Sequence, residues 1–296
     1  MKANSPEAVK GVVFGLSSYG IWGCFPLFFA LFQGVPSWEV LIHRIVWSCI
    51  FLAIVVTVLR RWQGIKTALA APAKLGRVLA CAVLIAINWV TFIYAVESNQ
   101  VLQSSLGYFL TPLVNVALGM LVLKERISRA QGLAVFIATS AILLQLVTLG
   151  TVPYLSLILA FSFGTYGLMR KQVALDGLSG LFVETLLLAP LGLLALLVLS
   201  QMGMSHFTDS PRMTVLLISS GVLTAIPLLL FAGAARRLRL ATVGFLMYIN
   251  PSIQFLLALT FFNEPLTAVQ MTTFLLIWSS LALYSWSAWS GRTRMA

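Results

Sequence analysis

Charged residues are scarce in this chain. Asp and Glu number 8 and Lys and Arg 19 among 296 residues, 9% in all, against roughly 25% in soluble domains. A soluble protein of this length needs far more polar surface, so the scarcity excludes a soluble enzyme. The 60% apolar content excludes a disordered chain. Histidine is nearly missing, with His43 and His206 alone, and there is no HExxH, Walker loop or paired-aspartate phosphate site. No metal, cofactor or enzymatic chemistry is therefore expected. The three cysteines, Cys24, Cys49 and Cys81, fall inside apolar runs without CxxC spacing. They read as packing residues, which excludes a disulfide scaffold. The net charge of +11 forms no continuous basic face, so nucleic acid is not an expected partner.

What is present is apolar sequence in long unbroken runs. A span needs about 20 apolar residues, and barrels alternate polar with apolar residues, so these runs are helices in a lipid bilayer. They predict ten spans at 11–32, 37–59, 75–96, 102–123, 128–147, 152–169, 178–200, 213–235, 240–262 and 267–289. Lys2 and Lys10 precede the first run without a small-residue cleavage site, so it reads as a retained helix and not as a signal peptide. With the N-terminus in the cytoplasm, all of the 19 Lys and Arg except Arg44 and Arg212 fall in the N-tail, the even-numbered connections or the C-tail. That bias predicts both chain ends inside.

A shift of 139 residues places Pro112 on Pro251, Glu125 on Glu264, Ser128 on Thr267, Gln131 on Gln270 and Phe92 on Phe231. Nearer the N-terminus a shift of 144 places Ser18–Gly23 on Ser162–Gly167. Residues 8–147 and 152–289 thus read as two copies of a five-helix unit. Five is odd, so consecutive copies must be inverted in the membrane. Inverted repeats are a recurring architecture of secondary transporters, in which two nearly equivalent packings can exchange around a central site. The fold class is an all-α membrane protein of ten transmembrane helices in two inverted five-helix repeats.

Ser128-x-x-Gln131 and Thr267-x-x-Gln270 read as capping boxes of the last helix in each half, with Glu125 and Glu264 just ahead of them. Glu125, Ser128, Glu264 and Thr267 are expected to be hairpin caps and not substrate groups, since the topology puts the two glutamates on opposite sides. Pro112 and Pro251 are expected to break their spans near the middle and to free the carbonyls of Tyr108 and Met247. His43-Arg44 lies inside the second span, where an Arg costs at least about 2.5 kcal/mol and needs a partner or a watery cavity. Glu184, the other intramembrane charge, is expected to neutralise Arg44 or to face substrate. Glu39, one turn before His43, is the alternative partner. Tyr19, Trp22, Asn88, Trp89, Tyr108, Asn115, Tyr248, Asn250 and Gln254 complete an expected lining suited to a small amphipathic solute. Aromatic packing and interhelical hydrogen bonding would account for each of them singly.

Several stretches carry a resemblance: Tyr19-x-x-Trp22-Gly23, His43-Arg44-x-x-Trp47-Ser48, Asn88-Trp89-x-x-Phe92, Ser105-Leu106-Gly107-Tyr108-Phe109-x-x-Pro112-Leu113-x-Asn115, Phe161-Ser162-Phe163-x-x-Tyr166-Gly167-x-x-Arg170-Lys171 and Arg237-Leu238-Arg239-Leu240. Together they resemble the EamA branch of the drug/metabolite transporter superfamily and, within it, the RarD proteins associated with chloramphenicol sensitivity. The resemblance implies a bacterial inner-membrane permease with a central cavity between inverted halves. The expected function is secondary transport, in the direction of export, of small metabolites or drug-like amphiphiles. Helices 1–4 and 6–9 would line the path, and the fifth and tenth would brace each half or pair protomers in a homodimer. A membrane-embedded enzyme acting on lipid-linked substrates would need clustered His, Asp or Glu near one interface. A sensor or scaffold would need a sizeable domain outside the membrane, and the longest connection is only 60–74.

Overall fold

The computed structural model describes residues 6–69, 72–122, 124, 128–150, 152–173, 175–238, 243 and 246–293, and these are almost wholly helical. The helices are α1 (Pro6–Gly23), α2 (Phe25–Phe29), α3 (Ser37–Val58), α4 (Trp62–Leu69), α5 (Pro72–Glu97), α6 (Val101–Val122), α7 (Arg129–Leu149), α8 (Tyr154–Val173), α9 (Gly177–Gln201), α10 (Pro211–Arg237), α11 (Ile249–Thr260) and α12 (Ala268–Thr293). Eight of the spans, the first made of α1 with α2, are long and apolar enough to cross a bilayer. The ten are completed by α8, which carries Arg170 and Lys171 in its last turn, and by α11, short in its described part.

Local chemistry sets the helix ends. Asp176 starts α9 by accepting the backbone N–H groups of Leu178 (3.1 Å) and Ser179 (3.2 Å). Ser210 caps α10 through the Met213 N–H at 3.1 Å, with Pro211 in the first position, where its missing donor costs nothing. Ser128 and Gln131 form a reciprocal capping box on α7, and Thr267 and Gln270 form another on α12. Gly150 (φ +64°) closes α7 in the left-handed conformation.

Five elements differ from the sequence reading. The first span restarts at Phe25 as the separate short helix α2, with Pro26 in its first turn. The connection 60–74 contains the amphipathic helix α4. α8 continues past residue 169 to Val173, so Arg170 belongs to a helix and not to a connection. The expected break at Pro112 is not seen, since α6 stays helical from Val101 to Val122. One missing donor frees one carbonyl, and the adjacent turn is held by the Thr111 hydroxyl bonding the Gly107 carbonyl. Pro251 lies in the first turn of α11 and not in mid-helix, where the lost N–H is an orphan in any case.

The helix neighbours carry the inverted relation. α1 packs on α10 as α8 packs on α5; α6 packs on α8 as α11 packs on α1; α3 packs on α10 as α9 packs on α5. The pairs α3–α9, α6–α11 and α7–α12 each join corresponding helices of the two halves. Exchanging the halves maps this set of contacts onto itself. Small residues permit the close crossings: a Cβ on Gly107 would meet the Ser156 carbonyl oxygen at 2.8 Å, and one on Gly221 would meet the Ser48 nitrogen at 2.4 Å. Large apolar side chains such as Ile54, Leu121, Phe136, Val147, Leu191 and Leu197 face outward, as a bilayer requires.

Candidate functional site

Polar groups in the bundle centre sit where helices of the two halves meet. Arg44 on α3 is 3% exposed, and its Nε donates to Thr224 Oγ1 of α10 at 2.8 Å. Its guanidinium carbon lies 4.1 Å from the Trp89 ring centre, 5.3 Å from that of Phe29 and 5.6 Å from that of Phe25. A desolvated cation–π contact contributes about 2 kcal/mol and a charged hydrogen bond about 1.5–3 kcal/mol. An Arg at depth costs from about 2.5 to more than 10 kcal/mol. These contacts offset part of that cost and neutralise none of the charge.

Beside Trp89 on α5, Asn88 is 2% exposed. Its amide nitrogen donates to the Leu159 carbonyl and to Ser162 Oγ, each at 3.1 Å, and its oxygen accepts from the Tyr108 hydroxyl at 3.2 Å. Ser18 makes the corresponding contact across the inverted pair, donating to the Pro227 carbonyl of α10 at 2.7 Å. Asn88, Trp89, Arg44 and Tyr108 therefore form one connected group.

Glu184 does not pair with Arg44. Its Oε2 accepts from the Tyr166 hydroxyl at 3.2 Å, and its Oε1 lies 3.4 Å from Arg170 Nε. Arg170 reaches inward over Gly180, where a Cβ would stand 1.4 Å from its Nη2. The same Nη2 donates to the Asp176 carbonyl at 2.7 Å. Glu39 does not hold Arg44 either. Fully buried, it accepts from the His206 backbone N–H (2.8 Å) and contacts His206 Nδ1 (2.6 Å). That pair ties the connection 202–210 to α3, and Phe207 stacks on His43 (5.0 Å) and Trp47 (6.0 Å). Both partners expected for Arg44 are thus engaged elsewhere. Glu39 is taken by a connection 167 residues away, and Glu184 by the preceding helix α8.

The remaining expected residues divide among separate places. Gln254 accepts from Ser104 at 3.0 Å and donates to Asn250 at 2.7 Å, while Ser105 donates to the Pro251 carbonyl at 2.8 Å. These bonds knit α6 to α11. Tyr19 and Trp22 form an aromatic triangle with Phe231. Asn115 is exposed, beside Gly164 of α8. Tyr248 lines a groove of about 740 Å³ with Phe109, Ser252, Trp278 and Trp286. None of these makes a hydrogen bond to Arg44. Glu264 accepts from the Val101 and Leu102 N–H groups at the start of α6, so it caps that helix and not its own hairpin. Burial raises its carboxyl above the usual 4.5, and the Leu102 and Val101 N–H groups pull it back. Glu125 lies outside the described residues. Thr224, Phe25, Phe29, Tyr166, Arg170 and Gly180 are additions that the sequence reading had not assigned to the site. Arg170 alone carried a signal there, as a cation at the edge of an apolar run.

Residues 9–147 match the EamA-like transporter family. The chain is 43% identical to Protein RarD of Escherichia coli (strain K12) over 282 residues, 95% of each chain. It is 40% identical to the uncharacterized transporter YojE of Bacillus subtilis (strain 168), again over 95% of each. It is 30% identical to the chloramphenicol-sensitive protein RarD of Pseudomonas aeruginosa, over 94% of each. A protein of known crystal structure, 14% identical, shares the fold with a TM-score of 0.58, covering 93% of this chain and 96% of that one. By family match and whole-length similarity, this multi-pass membrane protein belongs to the RarD group of the EamA-like transporter family.

Proposed function

We propose that the protein is a secondary transporter of a bacterial inner membrane, exporting small metabolites or drug-like amphipathic compounds along a path between its inverted halves, without covalent chemistry. The observation that carries this reading is a buried arginine, paired with no carboxylate among the described residues, held between α3 of one half and α10 of the other. Intramembrane charges mark solute and ion paths, and in inverted-repeat transporters the site lies where the repeats meet. In this reading residues 8–147 and 152–289 are the moving units, both chain ends face the cytoplasm, and Asn88 and Tyr108 hydrogen-bond the solute beside Trp89. The connection 202–210, pinned by Glu39 and His206, covers the outer end.

The test is counterflow. Purified protein in liposomes loaded with one member of a metabolite library should accumulate the labelled form of that solute, saturably, for at least one member. Arg44→Ala should abolish the accumulation. A library that produces no exchange, while some members shift the melting temperature, would favour a sensor over a transporter.

A further inference from the structure

We propose that the transported solute is a small organic anion with an apolar body, and that its carboxylate or equivalent single negative charge is the counter-ion Arg44 lacks. The proposal deepens the transport reading and rests on it.

The acids of the chain can be accounted for almost completely. Of the 8 in the sequence, Glu7 pairs with Lys10 and Arg237, Glu39 with His206 and Glu184 with Arg170. Glu97 accepts the Ser37 N–H, Asp176 caps α9 and Glu264 caps α6. Asp209 lies exposed in a connection, and Glu125 lies outside the described residues. Among the described residues, then, no acid forms an ion pair with Arg44. Its guanidinium is nonetheless 3% exposed and ringed by Trp89, Phe29 and Phe25. Among the described residues its hydrogen bond runs from Nε to Thr224 Oγ1, on one edge of the guanidinium, and the two Nη nitrogens form a planar fork. Such a fork matches two oxygens of a carboxylate.

A second donor stands one residue earlier. His43 is 2% exposed, and its Nδ1 accepts from Trp47 Nε1 at 3.3 Å, which leaves the hydrogen on Nε2. That Nε2 is buried without a partner. The two Nη nitrogens of Arg44, within an aromatic wall and ion-paired to no acid among the described residues, select a negative head on an apolar body, and His43 Nε2 is an unpartnered donor on the preceding residue. An amine would meet an uncompensated cation in a dry site, and a neutral ester would leave the charge unpaired. The inverted counterpart supports this contrast. Glu184 holds the corresponding depth in α9, eight positions after the capping residue Asp176 as Arg44 is after Pro36, and it is already neutralised from within the chain by Arg170.

The experiment uses the full chain in lipid nanodiscs and three probes of one skeleton: 4-phenylbutyrate, its methyl ester and 4-phenylbutylamine. The acid is expected to raise the melting temperature by several degrees in a saturable way, and the other two to leave it unchanged. Arg44→Gln should abolish the shift. Thr224→Val, which releases Nε but keeps the cation, should weaken acid binding roughly tenfold and so keeps the test valid if Arg44→Gln fails to fold. Equal stabilisation by the ester or the amine would overturn the proposal. So would an equal shift with sodium chloride alone, or acid binding that survives Arg44→Gln. Counterflow separates the two levels: exchange of neutral or cationic solutes only would overturn the anion assignment and leave transport standing, whereas acid binding without exchange of any solute would overturn the transport reading.

Discussion

Gly180→Ala is the most informative single perturbation outside the Arg44 site. The added methyl would sit 1.4 Å from Arg170 Nη2 and 2.0 Å from its Cζ, so the guanidinium must leave. Its departure breaks the 3.4 Å contact with Glu184 and the 2.7 Å bond to the Asp176 carbonyl. Glu184 is 1% exposed and cannot follow into water, whereas Arg170, 14% exposed, can swing toward the surface. Removing one partner of a buried pair costs about 3–5 kcal/mol when the other charge stays buried. Alanine returns up to about 1 kcal/mol of helix propensity. The net loss should be about 2–4 kcal/mol, read as a shifted midpoint of detergent-induced unfolding in mixed micelles. In a Glu184→Gln background, with no charge left to strand, the same substitution should cost less than half as much. An unchanged midpoint, or equal costs in the two backgrounds, would refute the pairing of Arg170 with Glu184 as a structural element.

Further substitutions test the other contacts. Ser128→Ala and Thr267→Ala should each lower stability by about 1 kcal/mol through loss of a helix cap, measured by the same unfolding assay. His206→Ala should loosen the connection 202–210, so that a cysteine placed at Phe207 reacts faster with a charged thiol reagent than in the parent. Gly107→Ala should cost about 1–3 kcal/mol by forcing α6 off α8. Because the carboxyl of Glu264 is raised above 4.5 in the native state, the native state binds the proton more tightly. Stability should therefore fall as pH rises from 4.5 through the raised value. Glu264→Gln should flatten that dependence in chemical unfolding curves taken across the window.

The scaffold was legible because its signals are local. Apolar runs mark spans, Ser128-x-x-Gln131 and Thr267-x-x-Gln270 mark helix starts, and matching residues at shifts of 139 and 144 mark the repeat. The His43-Arg44 dipeptide stood out for the same reason, as charge within an apolar run. The partners were not legible. Arg44 meets Thr224 across 180 residues, and Glu39 meets His206 across 167. Nothing in the periodicity of either segment points to the other. Arg170 read as a topology charge because a cation at a run's edge looks the same whether it snorkels outward or folds inward. Gly180, the notch that lets it fold inward, is one glycine among 21. Glu264 sits where it could cap its own hairpin, and only the packing of α11 against α6 brings the α6 N-terminus within its reach.

Water accessibility of the interface between the halves tests the central claim most directly. In a chain with Cys24, Cys49 and Cys81 replaced by serine, Asn88→Cys and Thr224→Cys can be treated with a membrane-impermeant thiol reagent in right-side-out and in inverted vesicles. Alternating exposure predicts labelling of both positions from both sides, slowed by a transported solute. Labelling from both sides no faster than that of a lipid-facing control such as Phe136→Cys would contradict it.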